Sequence, residues 1–233
     1  MVAQMCGSYL YWLKSSWRKD GHLIAQDKAH DWLSVVLKKL GKTWNRKFDE
    51  MAQKIANGFV DGSLKHNRVA MMGIMKEAGW TIDFKMTQAM KDAERSIIAE
   101  NVALIKSIPA QFHTDIEKDV WRMVNAGGDM GAMVEQLEKR FGKTHKRAAF
   151  IARDQNKKTF AKLEQIRREE LGITEAIWMH TNSHKPENYR ESHVKANGKK
   201  FDINKGMYLD GKWVLPAEEI NCNCWSKAVI KGF

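Results

Sequence analysis

Through the first 170 or so positions, apolar residues fall three and four apart, and the chain reads as a succession of amphipathic helices. Leu23, Ile24, Ala29, Trp32, Leu33, Val36, Leu37 and Leu40 predict a helix over 22–41, with Gly41 as its C-cap. Trp44, Phe48, Met51, Ala52 and Ile55 predict a second over 43–58, and Leu64, Val69, Met72 and Met75 a third over 64–78, ended by Gly79. The stretch 86–108 reads as one long helix stopped by Pro109. That proline then opens the next helix at its first position, where a missing N–H costs nothing, with Ile116, Val120, Met123 and Val124 on the buried face. Asp129 is the expected N-cap of a helix that reaches Phe141 and ends at Gly142, and Thr144 caps a last long helix closed by Gly172.

Beyond Gly172 the texture changes. Residues 175–181 alternate as a strand, 199–203 and 207–215 suggest hairpin strands turning at Asp210-Gly211, and 225–230 supplies a closing strand. Helical periodicity is not expected to return. The fold class is therefore α+β, a mostly α-helical N-terminal body with a small C-terminal antiparallel β module. A β module of about 60 residues buries little by itself and needs a metal staple or tight docking on the helices.

Charge adds a partner class. The 233 residues carry 39 Lys and Arg against 28 Asp and Glu, a net +11, which favours a polyanionic neighbour such as double-stranded DNA held without sequence preference. The surplus is diffuse along the chain. The helix expected after Thr144 concentrates Lys146, Arg147, Arg153, Lys157 and Lys158, candidates for phosphate contact. The aromatic start, with Tyr11, Trp12 and Trp17, needs a surface to bury against, either the core or a partner protein. No apolar run approaches membrane-spanning length and no export signal is expected.

Three cysteines argue against a disulfide scaffold and for a reducing compartment. Cys222 and Cys224, one residue apart, cannot close a comfortable disulfide on each other but are well placed to share a metal ion. Tetrahedral zinc would be completed by two of His180, His184 and His193. The expected set is His184, His193, Cys222 and Cys224, with His180 the alternative to His184. An enzymatic alternative places His193 beside Arg190 and Glu191 in a metal-dependent nuclease or hydrolase, with Glu191 as base, and a second alternative is a zinc-stabilised DNA-binding protein. The closed, structural version is favoured, and no catalytic residue is expected.

Several pieces occur together in order: Glu100 to Pro109, Arg147-Ala148-Ala149-Phe150-Ile151-Ala152-Arg153-Asp154-Gln155, Gly172, Trp178, Arg190-Glu191-Ser192-His193, Asn197-Gly198-Lys199, Pro216, and Asn221-Cys222-Asn223-Cys224. In this the chain resembles the phage Mu F-like minor head proteins, the head morphogenesis family of tailed bacteriophages. It departs in having Asn223 where Arg is frequent, and Asp154-Gln155 where Thr-Glu is frequent. The resemblance implies three parts: a helical region over 1–98 outside the resemblance, the helical part of the head-morphogenesis domain over 99–172, and the β module over 173–233. It also implies a low-copy minor capsid protein, inside the virion near the portal, that contacts the portal or major capsid protein and the packaged DNA and serves head assembly or genome delivery.

Overall fold

The computed structural model describes residues 1–15, 29–77, 79, 85–126, 130–181 and 189–230. In chain order the elements are α1 (Val2–Lys14), α2 (Ala29–Glu77), α3 (Gln88–Asn125), α4 (Met130–Glu170), β1 (Glu175–Met179), α5 (Glu191–Ala196), β2 (Lys200–Asp202), β3 (Met207–Leu209), β4 (Lys212–Val214) and β5 (Trp225–Ala228). The chain is mostly helical, and its strands form a small antiparallel module at the C-terminal end. It divides into two compact units, residues 1–56 with 99–152 and residues 57–98 with 153–233.

The first unit is a helical core. Met5, Cys6, Tyr9 and Leu13 of α1, Leu33, Leu37, Leu40, Trp44 and Phe48 of α2, Ile108, Phe112, Ile116 and Val120 of α3, and Met133 and Leu137 of α4 are buried together. Their spacing places each set on one stripe of its helix. The Tyr9 hydroxyl lies 3.0 Å from His113 Nδ1, and its ring packs edge-on against Phe112 with centroids 5.0 Å apart. Arg140 bridges Asp115 and the buried Asp119 at 3.2 and 2.7 Å, so the charges that enter this core do so paired.

Five positions expected at helix boundaries are interior. Gly41 and Gly58 lie inside α2, Pro109 lies inside α3, and Gly142 and Thr144 lie inside α4. At Pro109 the stripe gives the reason, because Ile105, Ile108, Phe112, Ile116 and Val120 keep one face across it. Burying that continuous face outweighs the roughly 3 kcal/mol that an interior proline costs. Thr144 does not cap a helix; its hydroxyl donates back to the Arg140 carbonyl at 3.0 Å. Gly41 is a close-approach residue, since a Cβ there would lie 2.7 Å from the His113 ring. The Asp129 cap and the 80–84 connection lie outside the described residues.

In the second unit the end of α4 carries the β module. Gly172 sits at φ +70 in a Schellman stop, with Ile173 N–H donating to the Arg168 carbonyl at 2.9 Å and Gly172 N–H to Glu169 at 3.0 Å. β1 then runs between β2 and β5, antiparallel to both, with Ala176 opposite Phe201 and Ala228. β3 and β4 form the hairpin expected at Asp210-Gly211, whose φ values of +50 and +84 are those of a type I′ turn. Ala176, Trp178, Phe201, Ile203, Val214, Cys222 and Cys224 form the module's core. Arg168 of α4 donates to the Ser226 carbonyl at 2.8 Å and hydroxyl at 2.6 Å, and Gln165 donates to the Ile203 carbonyl at 3.1 Å, so two turns of one helix hold both β5 and the turn after β2. One element was not expected: the short α5, which interrupts the strands and carries His193.

Candidate metal centre

Three pieces of the second unit converge at the cluster. β1 delivers Trp178 and, just past its end, His180. The short helix α5 delivers His193, and the irregular segment before β5 delivers Cys222 and Cys224. That segment is shaped by local contacts: Leu215 N–H donates to Glu218 Oε2 at 2.7 Å, Cys222 N–H to the Glu219 carbonyl at 3.0 Å, and Ala217 and Asn221 adopt φ +67 and +60.

His193, Cys222 and Cys224 are 3%, 3% and 4% exposed, and their ligand atoms all lie within 4.8 Å of one another. His193 Nδ1 stands 3.5 Å from Cys222 Sγ and 3.7 Å from Cys224 Sγ, while His180 Nδ1 stands 3.6 Å from Cys224 Sγ. A tetrahedral zinc ion, at about 2.3 Å from sulfur and about 2.1 Å from nitrogen, sets its sulfur and nitrogen ligands about 3.6 Å apart. The three observed sulfur–nitrogen distances match that figure, while His180 stands outside the group of three whose ligand atoms all lie within 4.8 Å of one another. The group could hold a metal ion, and the cavity of about 20 Å³ beside it is sized for an ion or a water molecule.

The sulfurs are prepared for a cation. Cys222 is pulled well below the usual thiol range, first by its hydrogen bond with Cys224, then by the His193 ring and by the backbone N–H groups of Cys224 and Ala217. Cys224 is pushed up by that same bond to Cys222 and by burial. A metal ion that binds both sulfurs as thiolates would replace the hydrogen bond between them.

Outside the cluster stands a carboxylate that sequence reasoning missed. Glu219 Oε2 lies 2.9 Å from His193 Nε2, an approach of charge without an aligned hydrogen bond, and Glu219 also pairs with Arg190 at 3.3 Å and with Lys212. Its carboxyl is held below the ordinary range, chiefly by the Lys212 hydrogen bond. A carboxylate behind a histidine favours the tautomer that turns its lone pair, here at Nδ1, toward a metal. On the other side Trp178 packs edge-on against the His193 ring at 5.1 Å, and Tyr189 against His180 at 4.8 Å. The adjacent pair Glu218-Glu219, three residues before Cys222, was the available signal.

Of the remaining candidates, His184 and Trp17 lie outside the described residues. Glu191 is fully exposed and bound to Lys195 at 2.6 Å, while Arg190 donates to the Ile220 carbonyl at 3.1 Å. Among the basic residues of α4, Arg147 donates to Ser107 Oγ at 3.1 Å and Lys158 pairs with Asp154 at 2.9 Å, whereas Lys146 and Arg153 are exposed and Lys157 is half-buried. Tyr11 and Trp12 are exposed and packed edge-on at 5.6 Å. No described helix is long and apolar enough to cross a membrane.

Comparison with known proteins agrees with the order of motifs. The chain is 31% identical over 197 residues to an uncharacterized protein of Haemophilus influenzae, a match covering 82% of this chain and 42% of that protein. The chain thus spans less than half the length of this relative. No solved structure matches it. The family described as Phage Mu protein F like protein matches residues 114–226, a stretch that includes His180, His193, Cys222 and Cys224. The segment that builds the cluster, from the middle of α3 to the start of β5, belongs to the Phage Mu protein F like family.

Proposed function

We propose that this chain is a head morphogenesis protein of a tailed bacteriophage. In this reading it is a low-copy minor capsid protein, held inside the head near the portal, that lies against packaged DNA and supports head assembly or genome delivery. The observation that carries the reading is the family match over 114–226. The net charge of +11 supports it, since a protein beside condensed DNA gains from phosphate contact and counterion release. On α4 the proposed phosphate contacts are Lys146, Arg153 and Lys157, because Arg147 and Lys158 are engaged within the protein. Tyr11 and Trp12 are the proposed docking residues for a portal or major capsid protein.

Within this role the cluster is a structural zinc site, with Cys222, Cys224, His193 and His180 as the four ligands. The ion supplies a cross-link between β1, α5 and the segment before β5, which a module this small otherwise lacks. The protein's own residues orient it: Glu219 fixes the His193 ring, and the backbone N–H groups around Cys222 stabilise its thiolate.

Mass spectrometry of purified virions and of emptied particles tests the role. The protein is expected in full particles at a few copies per head, and its absence from every particle fraction contradicts the reading. Metal analysis tests the staple. About one zinc per chain is expected, lost in Cys222→Ser with destabilisation of the β module; a wild type that purifies fully folded without metal contradicts it.

A further inference from the structure

Asp154 lies in the middle of α4, far in sequence from the cysteines, yet it reaches the segment that carries them. Its side chain is 9% exposed and accepts the Asn221 N–H at 2.8 Å through Oδ1, while Oδ2 pairs with Lys158 at 2.9 Å. Asn221 directly precedes Cys222 and sits at φ +60, a left-handed conformation that asparagine adopts more readily than other side-chain-bearing residues. From this geometry we infer that Asp154 is the positioning residue of the metal centre, anchoring the Asn221–Cys224 loop to α4 so that both sulfurs are set before the ion arrives. The inference rests on the metal reading above.

The physical argument is one of preorganisation. Residues 216–224 contain no helix or strand, so their backbone is ordered by individual hydrogen bonds. Most of these are local: Glu218 to Leu215, and Cys222 to Glu219. Arg190 adds a bond to Ile220 from the β module itself. The Asp154 bond is of another kind, because it runs to a long helix and uses a carboxylate, a stronger acceptor than a neutral carbonyl. Lys158 offsets the cost of sheltering that charge from water. Without the anchor, the loop must order as the ion binds, and the lost entropy appears as weaker and shorter-lived binding.

Zinc competition against a chromophoric chelator, on the full-length protein, provides the test. Asp154→Ala is expected to weaken zinc binding by about 10–100-fold, the range typical of outer-shell partners, whereas Asp154→Asn, which keeps an acceptor, stays near wild type. Lys158→Ala, which removes the ion pair but not the N–H acceptor, should leave zinc affinity within a few-fold of wild type. Equal affinity in Asp154→Ala and wild type overturns the inference while leaving the metal reading intact; a wild type that binds no zinc overturns the metal reading itself. If Asp154→Ala does not fold, hydrogen exchange in the zinc-stripped wild type decides. The Asn221 amide should already be protected before zinc is added, and protection that arises only on zinc binding overturns the inference.

Discussion

His193 shows what a single position reveals from sequence and what it withholds. Its residue type, like those of Cys222 and Cys224, announced metal chemistry, and the three are buried together. Spacing could not choose between His180 and His184; His180, just past the end of β1, reaches Cys224, and His184 lies outside the described residues. Glu219 and Asp154 were invisible for a related reason, since a carboxylate gains its role from a neighbour that only the fold supplies. Charge has a similar limit: Arg147 and Lys158, expected as phosphate contacts, also make ties within the protein. Cys6 contrasts with the cluster, for burial pushes its thiol up from 9.0 to about 11, with no cation-ready neighbours to draw it down. At pH 8 its alkylation in the native protein should be about a hundredfold slower than in the unfolded chain, measured by mass spectrometry against time. Comparable rates in the two states would contradict its placement in the core.

At the scale of elements, hydrophobic period was a better guide than punctuation. The stripes on α2, α3 and α4 are legible residue by residue, yet Gly41, Pro109 and Gly142, which read as ends, are interior positions. A single glycine or proline costs a helix about 1–3 kcal/mol, and a continuous buried face of five or six side chains outweighs that. The short α5 escaped because six residues give no measurable period. The I′ turn at Asp210-Gly211 and the stop at Gly172 were readable because left-handed backbone imposes its own residue preference. Gly41 carries a prediction. Alanine at an ordinary interior position would stabilise α2 by about 1 kcal/mol, but here its Cβ meets the His113 ring, itself held by Tyr9. Gly41→Ala should therefore destabilise the protein by about 1–2 kcal/mol, read as a lower denaturant midpoint; an unchanged or raised midpoint would contradict the close approach.

For the whole molecule, motif order pointed to the family, while the division into two units, each drawing on separated stretches of chain, was not legible from a linear reading. Periodicity locates faces but does not say which distant faces meet. The proposed DNA contact has a measurable consequence at this scale. Replacing Lys146, Arg153 and Lys157 together by Gln should reduce the slope of log affinity against log salt by about 2–3, uniformly across DNA sequences, in a fluorescence titration; an unaltered slope would move the contact to another surface. The central question is whether the cysteine–histidine cluster before β5 is a closed staple or an open, reactive metal site. X-ray absorption at the zinc edge of the purified protein separates the two most directly. The account predicts two sulfur neighbours at about 2.3 Å and two imidazole nitrogens at about 2.0–2.1 Å with no water ligand, and a shell that replaces one of them by a water oxygen, or a protein that retains no zinc, would contradict it.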